Sequence, residues 1–188
     1  MEVATEIILI GGSAGSYNLI TEILDALPLQ FNYALIIIIH RNPSFSTRIE
    51  KNLAQKLNRP IISVKDKTAI LSNSVYFAPP GYHLLVEPDG NFSLDVSEPI
   101  NYSRPSIDVA FETAAQVYTQ KCTGFLLSGA NQDGANGIRI IEEYGGKAYI
   151  QTPDEAIIET MPMSAVKVSL QQNLLRNAEI INFFSSKN

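Results

Sequence analysis

The sequence predicts an α/β fold, doubly wound, with a mostly parallel sheet, helices on both faces and an antiparallel hairpin or meander inserted part-way. Three features predict it. Apolar runs of strand length alternate with stretches of helical period, first through residues 6–64 and again through 106–150. One of those runs, Ala34 to Ile39, is apolar at every position, as befits a strand buried on both faces of a parallel sheet. Between the two alternating halves, short strand-like runs are separated by Pro79-Pro80-Gly81 and Pro88-Asp89-Gly90-Asn91, which is turn chemistry.

The first strand is expected over Glu6 to Ile10, followed by the turn Gly11-Gly12-Ser13-Ala14-Gly15. A helix then runs from about Tyr17 to Leu27, with Leu19, Ile20, Ile23, Leu24 and Leu27 at helical spacing. Ala34 to Ile39 is the second strand, about Ser46 to Leu57 a helix, and Ile61 to Val64 a third strand. This βαβαβ order implies parallel strands joined by right-handed crossovers. Val75 to Ala78, His83 to Glu87 and Phe92 to Val96 are assigned to the hairpin or meander. Ser106 is expected to cap a helix bearing Val109, Ala110, Phe111, Ala114 and Val117 on its apolar side. Gly124 to Leu127 reads as a buried strand, Ser128 to Gly134 as a polar glycine-bearing loop, about Ala135 to Tyr144 as a helix and Lys147 to Ile150 as a strand.

With 188 residues, 45% of them hydrophobic, the chain suffices for one domain with a sizeable core, and residues 1–188 are read as that single domain. A net charge of -5 and scattered Lys and Arg argue against nucleic acid as a partner. Cys122 is the only cysteine, so no intrachain disulfide forms, in keeping with a reducing compartment. The acidic N-terminus and the strand-length apolar runs give neither an export signal nor a membrane insertion, so a soluble cytoplasmic protein is expected.

Gly11-Gly12-Ser13-Ala14-Gly15 follows the Gly-x-Ser-x-Gly pattern, in which small neighbours allow a strained strand-to-helix turn and expose a nucleophilic serine. The pentapeptide alone also suits a phosphate cradle or a plain tight turn. Its glycines miss the Gly-x-Gly-x-x-Gly register of dinucleotide sites, and no acid ends the second strand. Two more strand ends carry capable residues: His40 after the second strand and Asp133 in the loop after Gly124 to Leu127. A serine nucleophile needs an imidazole to take its proton, and the imidazole needs a carboxylate to fix its tautomer. Taken singly, His40 also reads as a hydrogen-bonded core-edge histidine, and Asp133-Gly134 as a turn or cap. The only other histidine, His83, lies inside the meander. The order Ser13, His40, Asp133 differs from the Ser, acid, His order of the α/β-hydrolases.

Seven motifs in register, spread over nearly the whole chain, resemble the catalytic domain of the CheB family of chemotaxis protein-glutamate methylesterases. They are Ile-Gly-Gly-Ser-Ala-Gly-Ser (10–16), Ile-His-Arg-Asn-Pro (39–43), Ala-Pro-Pro-Gly-Tyr-His (78–83), Arg-Pro-Ser-Ile-Asp (104–108), Leu-Ser-Gly-Ala-Asn-Gln-Asp-Gly (127–134), Gln-Thr-Pro-Asp-Glu-Ala (151–156) and Met161-Pro162 with Ala165. The resemblance implies a Ser13, His40, Asp133 triad. It also implies hydrolysis of γ-glutamyl methyl esters with release of methanol, and an accompanying deamidation of glutamines in many members. The implied partner is a methyl-accepting chemotaxis receptor or another glutamate-methylated helical protein, with a CheR-type methyltransferase as the counterpart enzyme. The oxyanion would rest on backbone N–H groups, those of Ala14 and of Ala130 in the Gly129-Ala130 region. No cofactor and no metal is called for, and no metal-ligand spacing is visible.

The chain departs from the family pattern in places. Ser13-Ala14-Gly15-Ser16 replaces Ser-Thr-Gly-Gly, Ser128-Gly129-Ala130-Asn131 replaces Thr-Gly-Met-Gly, and His40-Arg41-Asn42-Pro43 replaces His-Met-Pro. These changes spare backbone donors and bear on pocket shape. They also motivate an alternative reading, a CheB-like scaffold or partner-binding module with impaired turnover. Family members often carry a receiver domain ahead of the esterase. Here the first strand begins within a few residues of Met1, and the expectation is a free-standing domain or a fragment of a longer arrangement, with regulation from elsewhere or missing.

Overall fold

Ile7–Gly12 (β1) and Ala34–Ile39 (β2) are buried at every position, and their side chains sort by parity into two cores. Ile7, Leu9, Ala34, Ile36 and Ile38 enter one, Ile8, Ile10, Leu35, Ile37 and Ile39 the other. Period-two alternation sends successive side chains to opposite faces, so an all-apolar strand has to be covered on both. The computed structural model that shows this describes residues 2–41 and 48–187, the Ala14 side chain excepted. The expected turn residues Asn42 and Pro43, and the expected helix start at Ser46, lie outside the described residues.

One face carries α1 (Tyr17–Ala26), α2 (Ile49–Leu57) and α6 (Asn177–Ser186), whose Ile20, Leu53 and Phe184 are buried in the second core. The other carries α3 (Ile107–Tyr118), α4 (Ala135–Glu143) and α5 (Thr160–Val168), which bury Phe111, Ile138 and Met161. No helix among the described residues is long and apolar enough to cross a membrane.

Between the layers lies a seven-stranded sheet in the order β3-β4-β2-β1-β7-β8-β9. The remaining strands are β3 (Ile62–Ser63), β4 (Ser74–Phe77), β7 (Cys122–Leu126), β8 (Lys147–Gln151) and β9 (Leu174–Leu175). Every pairing in this sheet is parallel. The chain builds outward from β1 through β2 and β4, then crosses back to add β7 on the other side. Strand order therefore reverses at β1, and a crevice opens at its carboxyl end.

One expectation is corrected. The segment around Val75 to Ala78 belongs to the parallel sheet, with Leu35 opposite Val75 and Ile62 opposite Tyr76. The following Pro79-Pro80-Gly81 resembles a hairpin turn locally, but β4 is buried at all four positions, and only the sheet interior supplies that cover. The antiparallel addition is confined to β5 (His83–Val86) and β6 (Phe92–Asp95), packed over α3. There the Val86 N–H donates to Thr113 Oγ1 at 3.1 Å.

Candidate active site

Ser13 follows β1, and its backbone is stitched to the neighbouring strand end. The Ser13 N–H donates to the Ser128 carbonyl at 3.0 Å, while the N–H and hydroxyl of Ser16 both donate to the Ser13 carbonyl, at 2.9 and 2.6 Å. A single 3-10 turn, Ala14–Ser16, leads into α1. The turn is not strained in the expected way. Ser13, Gly11, Gly12 and Gly15 all lie outside the left-handed region. Glycine at 15 provides room: a Cβ there would sit 2.6 Å from Ser128 Oγ and 3.4 Å from Ile157 Cβ.

His40 is the first residue beyond β2, as Ser13 is the first beyond β1. Gly12 pairs with Ile39, and the His40 N–H donates to the Gly12 carbonyl at 3.1 Å, so Ser13 and His40 occupy adjacent strand ends. His40 Nε2 lies 2.7 Å from Asp133 Oδ2, with the imidazole 13% exposed and the carboxylate 0%. A carboxylate can only accept, so Nε2 carries the hydrogen, and in the neutral form of the ring Nδ1 is the acceptor. Nδ1 lies 3.3 Å from Ser103 Oγ, whose oxygen also accepts from Asn131 Nδ2 at 3.1 Å. Among the described residues the Ser13 hydroxyl makes no hydrogen bond.

Asp133 is a charge with zero exposure, and four donors hold it. These are His40 Nε2, Ser106 Oγ at 2.8 Å, and the N–H groups of Ile107 at 2.7 Å and Asp108 at 3.2 Å. The last two are unpaired amides of the first turn of α3, so the carboxylate caps that helix and meets its positive end. Burial pushes the Asp133 carboxyl up. The hydrogen bonds from His40 and Ile107, and the His40 charge, outweigh that and hold it below its ordinary value. Its position depends on Gly134, at φ 92°, where a Cβ would collide with Leu126 and come within 2.8 Å of Ile107 Cγ2.

The capping is reciprocal. Asp108, in the first turn of α3, accepts from the Gly134 N–H at 2.9 Å and the Gly137 N–H at 2.7 Å, at the start of α4. Each helix is thus closed by a carboxylate from the entry of the other. Burial pushes Asp108 up from an ordinary 3.8 to about 6, and the Asp133 charge adds to this against the pull of the two amides. Folding therefore favours the protonated acid. That contribution is complete below the unfolded value and is lost as pH rises through the folded one. Asp108→Asn cannot ionise but keeps an acceptor oxygen. Its melting temperature is expected to gain on the wild type's between about pH 4 and about pH 7, as read by a pH series of thermal melts.

His83 is not part of the site. It is buried, accepts at Nδ1 from the Ser106 N–H at 3.2 Å and donates from Nε2 to the Glu98 carbonyl at 3.0 Å. Ser106 caps α3 as expected, its oxygen accepting from the Val109 N–H at 3.4 Å, and the same hydroxyl donates to Asp133. Sequence reasoning placed Ser106 as the cap of α3 and assigned no role to Ser103, Asp108 or Asn131. At the expected oxyanion loop, the Gly129 N–H is taken by the Ile158 carbonyl at 3.1 Å, while the Ala130 N–H has no partner among the described residues. Beside His40 an open cavity of about 390 Å³ is lined by Tyr17, Ile39, Arg41 and Ile49.

A serine thus follows β1 at the switch point of a doubly wound sheet, and on the adjacent strand end an imidazole is held by a buried aspartate. The family model for the CheB methylesterase matches residues 8–184. The chain belongs to the CheB methylesterase family. A Leptospira interrogans relative, assigned as a protein-glutamate methylesterase/protein-glutamine glutaminase, is 42% identical over 179 residues, covering 95% of this chain and 93% of its own. A protein of the same designation from Trichodesmium erythraeum is 30% identical over 173 residues, and there this chain spans 49% of the relative's length. The crystal structure of the Thermotoga maritima CheB methylesterase catalytic domain superposes with a TM-score of 0.85 at 25% identity, covering 95% of this chain and 98% of that one. The CheB fold accounts for the central place of β1, whose end lies between the strand ends leading to His40 and Asp133.

Proposed function

We propose that this chain is a serine hydrolase that demethylates γ-glutamyl methyl esters by a Ser13, His40, Asp133 triad. The observation that carries the reading is the 2.7 Å contact of His40 Nε2 with the fully buried Asp133, made on the strand end next to Ser13. In this reading His40 Nδ1 takes the Ser13 hydroxyl proton as Oγ bonds to the ester carbonyl carbon. The carbonyl oxygen becomes an oxyanion held by the N–H groups of Ala14, at the unpaired start of the 3-10 turn, and of Ala130. Nδ1 then returns the proton to the departing methoxide, releasing methanol and leaving an acyl-Ser13. Water attacks that ester as His40 takes one of its protons and returns it to Ser13, and the γ-carboxylic acid leaves and loses its remaining proton to solvent.

The substrate in this reading is a methylated glutamate of a methyl-accepting chemotaxis receptor or a related helical protein in the cytoplasm. The methyltransferase that adds the group is the counterpart enzyme. The same acyl chemistry on a glutamine amide would release ammonia, in line with the glutaminase named in the relatives. Residues 1–188 act as one catalytic domain.

One observation favours a different nucleophile, since the hydroxyl facing His40 Nδ1 is that of Ser103 at 3.3 Å. Ser103 is separated from the Ser106 cap of α3 by Arg104 and Pro105, whereas Ser13 is followed directly by the 3-10 turn that runs into α1. A fluorophosphonate probe separates the two serines. It is expected to label Ser13, with labelling lost in His40→Ala, and the chain is expected to release methanol from methylated receptor membranes. An adduct mapped to Ser103 would replace the nucleophile. No adduct and no methanol would favour a scaffold without turnover.

A further inference from the structure

Ile100 and Ser103 close a two-residue hairpin beside His40. The Ser103 N–H donates to the Ile100 carbonyl at 2.9 Å, and the Ile100 N–H to the Ser103 carbonyl at 3.2 Å. The tip residues Asn101 and Tyr102 are both left-handed, at φ 49° and 62°, the pattern of a type I′ turn. Glycine is the usual second tip residue because it has no Cβ to clash, so a tyrosine there is strained. The tyrosine side chain itself gains no contact among the described residues that offsets the strain. The Tyr102 side chain is fully exposed, and it makes no hydrogen bond or ring contact among the described residues.

The tip is nevertheless held firmly. Asn131 Nδ2 donates to the Asn101 carbonyl at 3.0 Å, Gln132 Nε2 to Asn101 Oδ1 at 3.5 Å, and Asn101 Nδ2 to Asp108 Oδ2 at 3.3 Å. All three partners lie within a few residues of Asp133 or share its capping arrangement. Ser103, next in the chain after Tyr102, is the residue at His40 Nδ1. The fold thus keeps a large ring at the rim of the site, in a conformation that disfavours it, with solvent on every side. Strained backbone that the surroundings over-determine tends to mark functional positions.

We propose that Tyr102 is a specificity-determining residue whose ring packs against apolar side chains of the helical protein around the esterified glutamate. This rests on Ser13 as the nucleophile. A tyrosine has only two rotatable side-chain bonds, so it buries a large apolar area with little loss of entropy. An acetate ester has no atoms beyond its reacting carbonyl that could use such a contact, whereas a helix carrying a γ-glutamyl ester presents neighbouring side chains to it.

The test compares two esters, p-nitrophenyl acetate and a helical peptide bearing a glutamyl γ-methyl ester. Tyr102→Gly is expected to raise KM for the peptide ester about 10- to 30-fold with kcat little changed, and Tyr102→Phe to restore it to within about threefold. The rate on p-nitrophenyl acetate is expected to stay within about twofold, and the melting temperature of Tyr102→Gly to rise by about 2–4 °C as the turn relaxes. Equal losses on both esters, an unchanged KM for the peptide ester, or a lowered melting temperature would each overturn the proposal. Ser13→Ala assayed on p-nitrophenyl acetate tests the underlying reading separately. Survival of that activity would remove the reading, and the proposal with it.

Discussion

Ser13→Ala is expected to lower methyl-ester hydrolysis by about 10⁶-fold, and adding His40→Ala to it to lower the rate no further. In the proposed triad the two residues act in one proton transfer, so once the hydroxyl is gone the imidazole has nothing to deprotonate. The residual rate over water would come from the oxyanion donors and from substrate binding. Single and double variants assayed for methanol release give a direct reading. If the two losses multiply, His40 acts independently of Ser13 and the triad is wrong. Stability is expected to be unaffected in Ser13→Ala, because the Ser13 contacts to Ser128 and Ser16 are made by its backbone.

Replacement of Asp133 is expected to damage catalysis and folding together, which distinguishes it from Ser13. Asp133→Asn would present an acceptor or a donor to His40 in the wrong combination and is expected to cost about 10⁴ in kcat through loss of the correct tautomer. Asp133→Ala removes the partner of four donors at once: His40, Ser106 and the first-turn amides of Ile107 and Asp108. Leaving such buried donors unpaired is expected to cost about 3–5 kcal/mol and to lower the melting temperature by about 10 °C or more. Calorimetry on the two variants checks this. An Asp133→Ala protein as stable as the wild type would show that the carboxylate does not cap α3.

The chain shows its fold most clearly where burial is uniform. Ala34 to Ile39 carries its answer locally, since six apolar residues in a row require cover on two faces, and β2 has those bounds. The residues around Val75 misled because neighbouring prolines and glycine describe a turn, whereas strand direction is decided by β2 and β3, well removed in sequence. At β9 only Leu174 and Leu175 pair, too short a run to stand out from a loop.

The site divides in the same way. Ser13, His40 and Asp133 could be proposed from the sequence because each ends or follows a recognisable strand, and the structure places Ser13 and His40 on adjacent strand ends and His40 against Asp133. Ser106 was visible as a helix cap, and Asp108 only as the last residue of a family motif. Their second role depends on partners 25 to 29 residues away across the packed α3 and α4. Tyr102 gave no signal because a type I′ turn without glycine lacks its usual marker.

The exchange of caps between α3 and α4 also bears on when the protein becomes competent during folding. Ser13 and His40 belong to one contiguous βαβ segment, whereas His40 and Asp133 are 93 residues apart in the chain. Contacts of such separation close late, because the intervening chain must first be ordered. A molecule with β1, α1 and β2 in place already has Ser13 and His40 on adjacent strand ends, yet nothing fixes the tautomer of the ring. Docking of the two capped helices supplies that choice, so in the proposed mechanism the chemistry waits on this long-range closure.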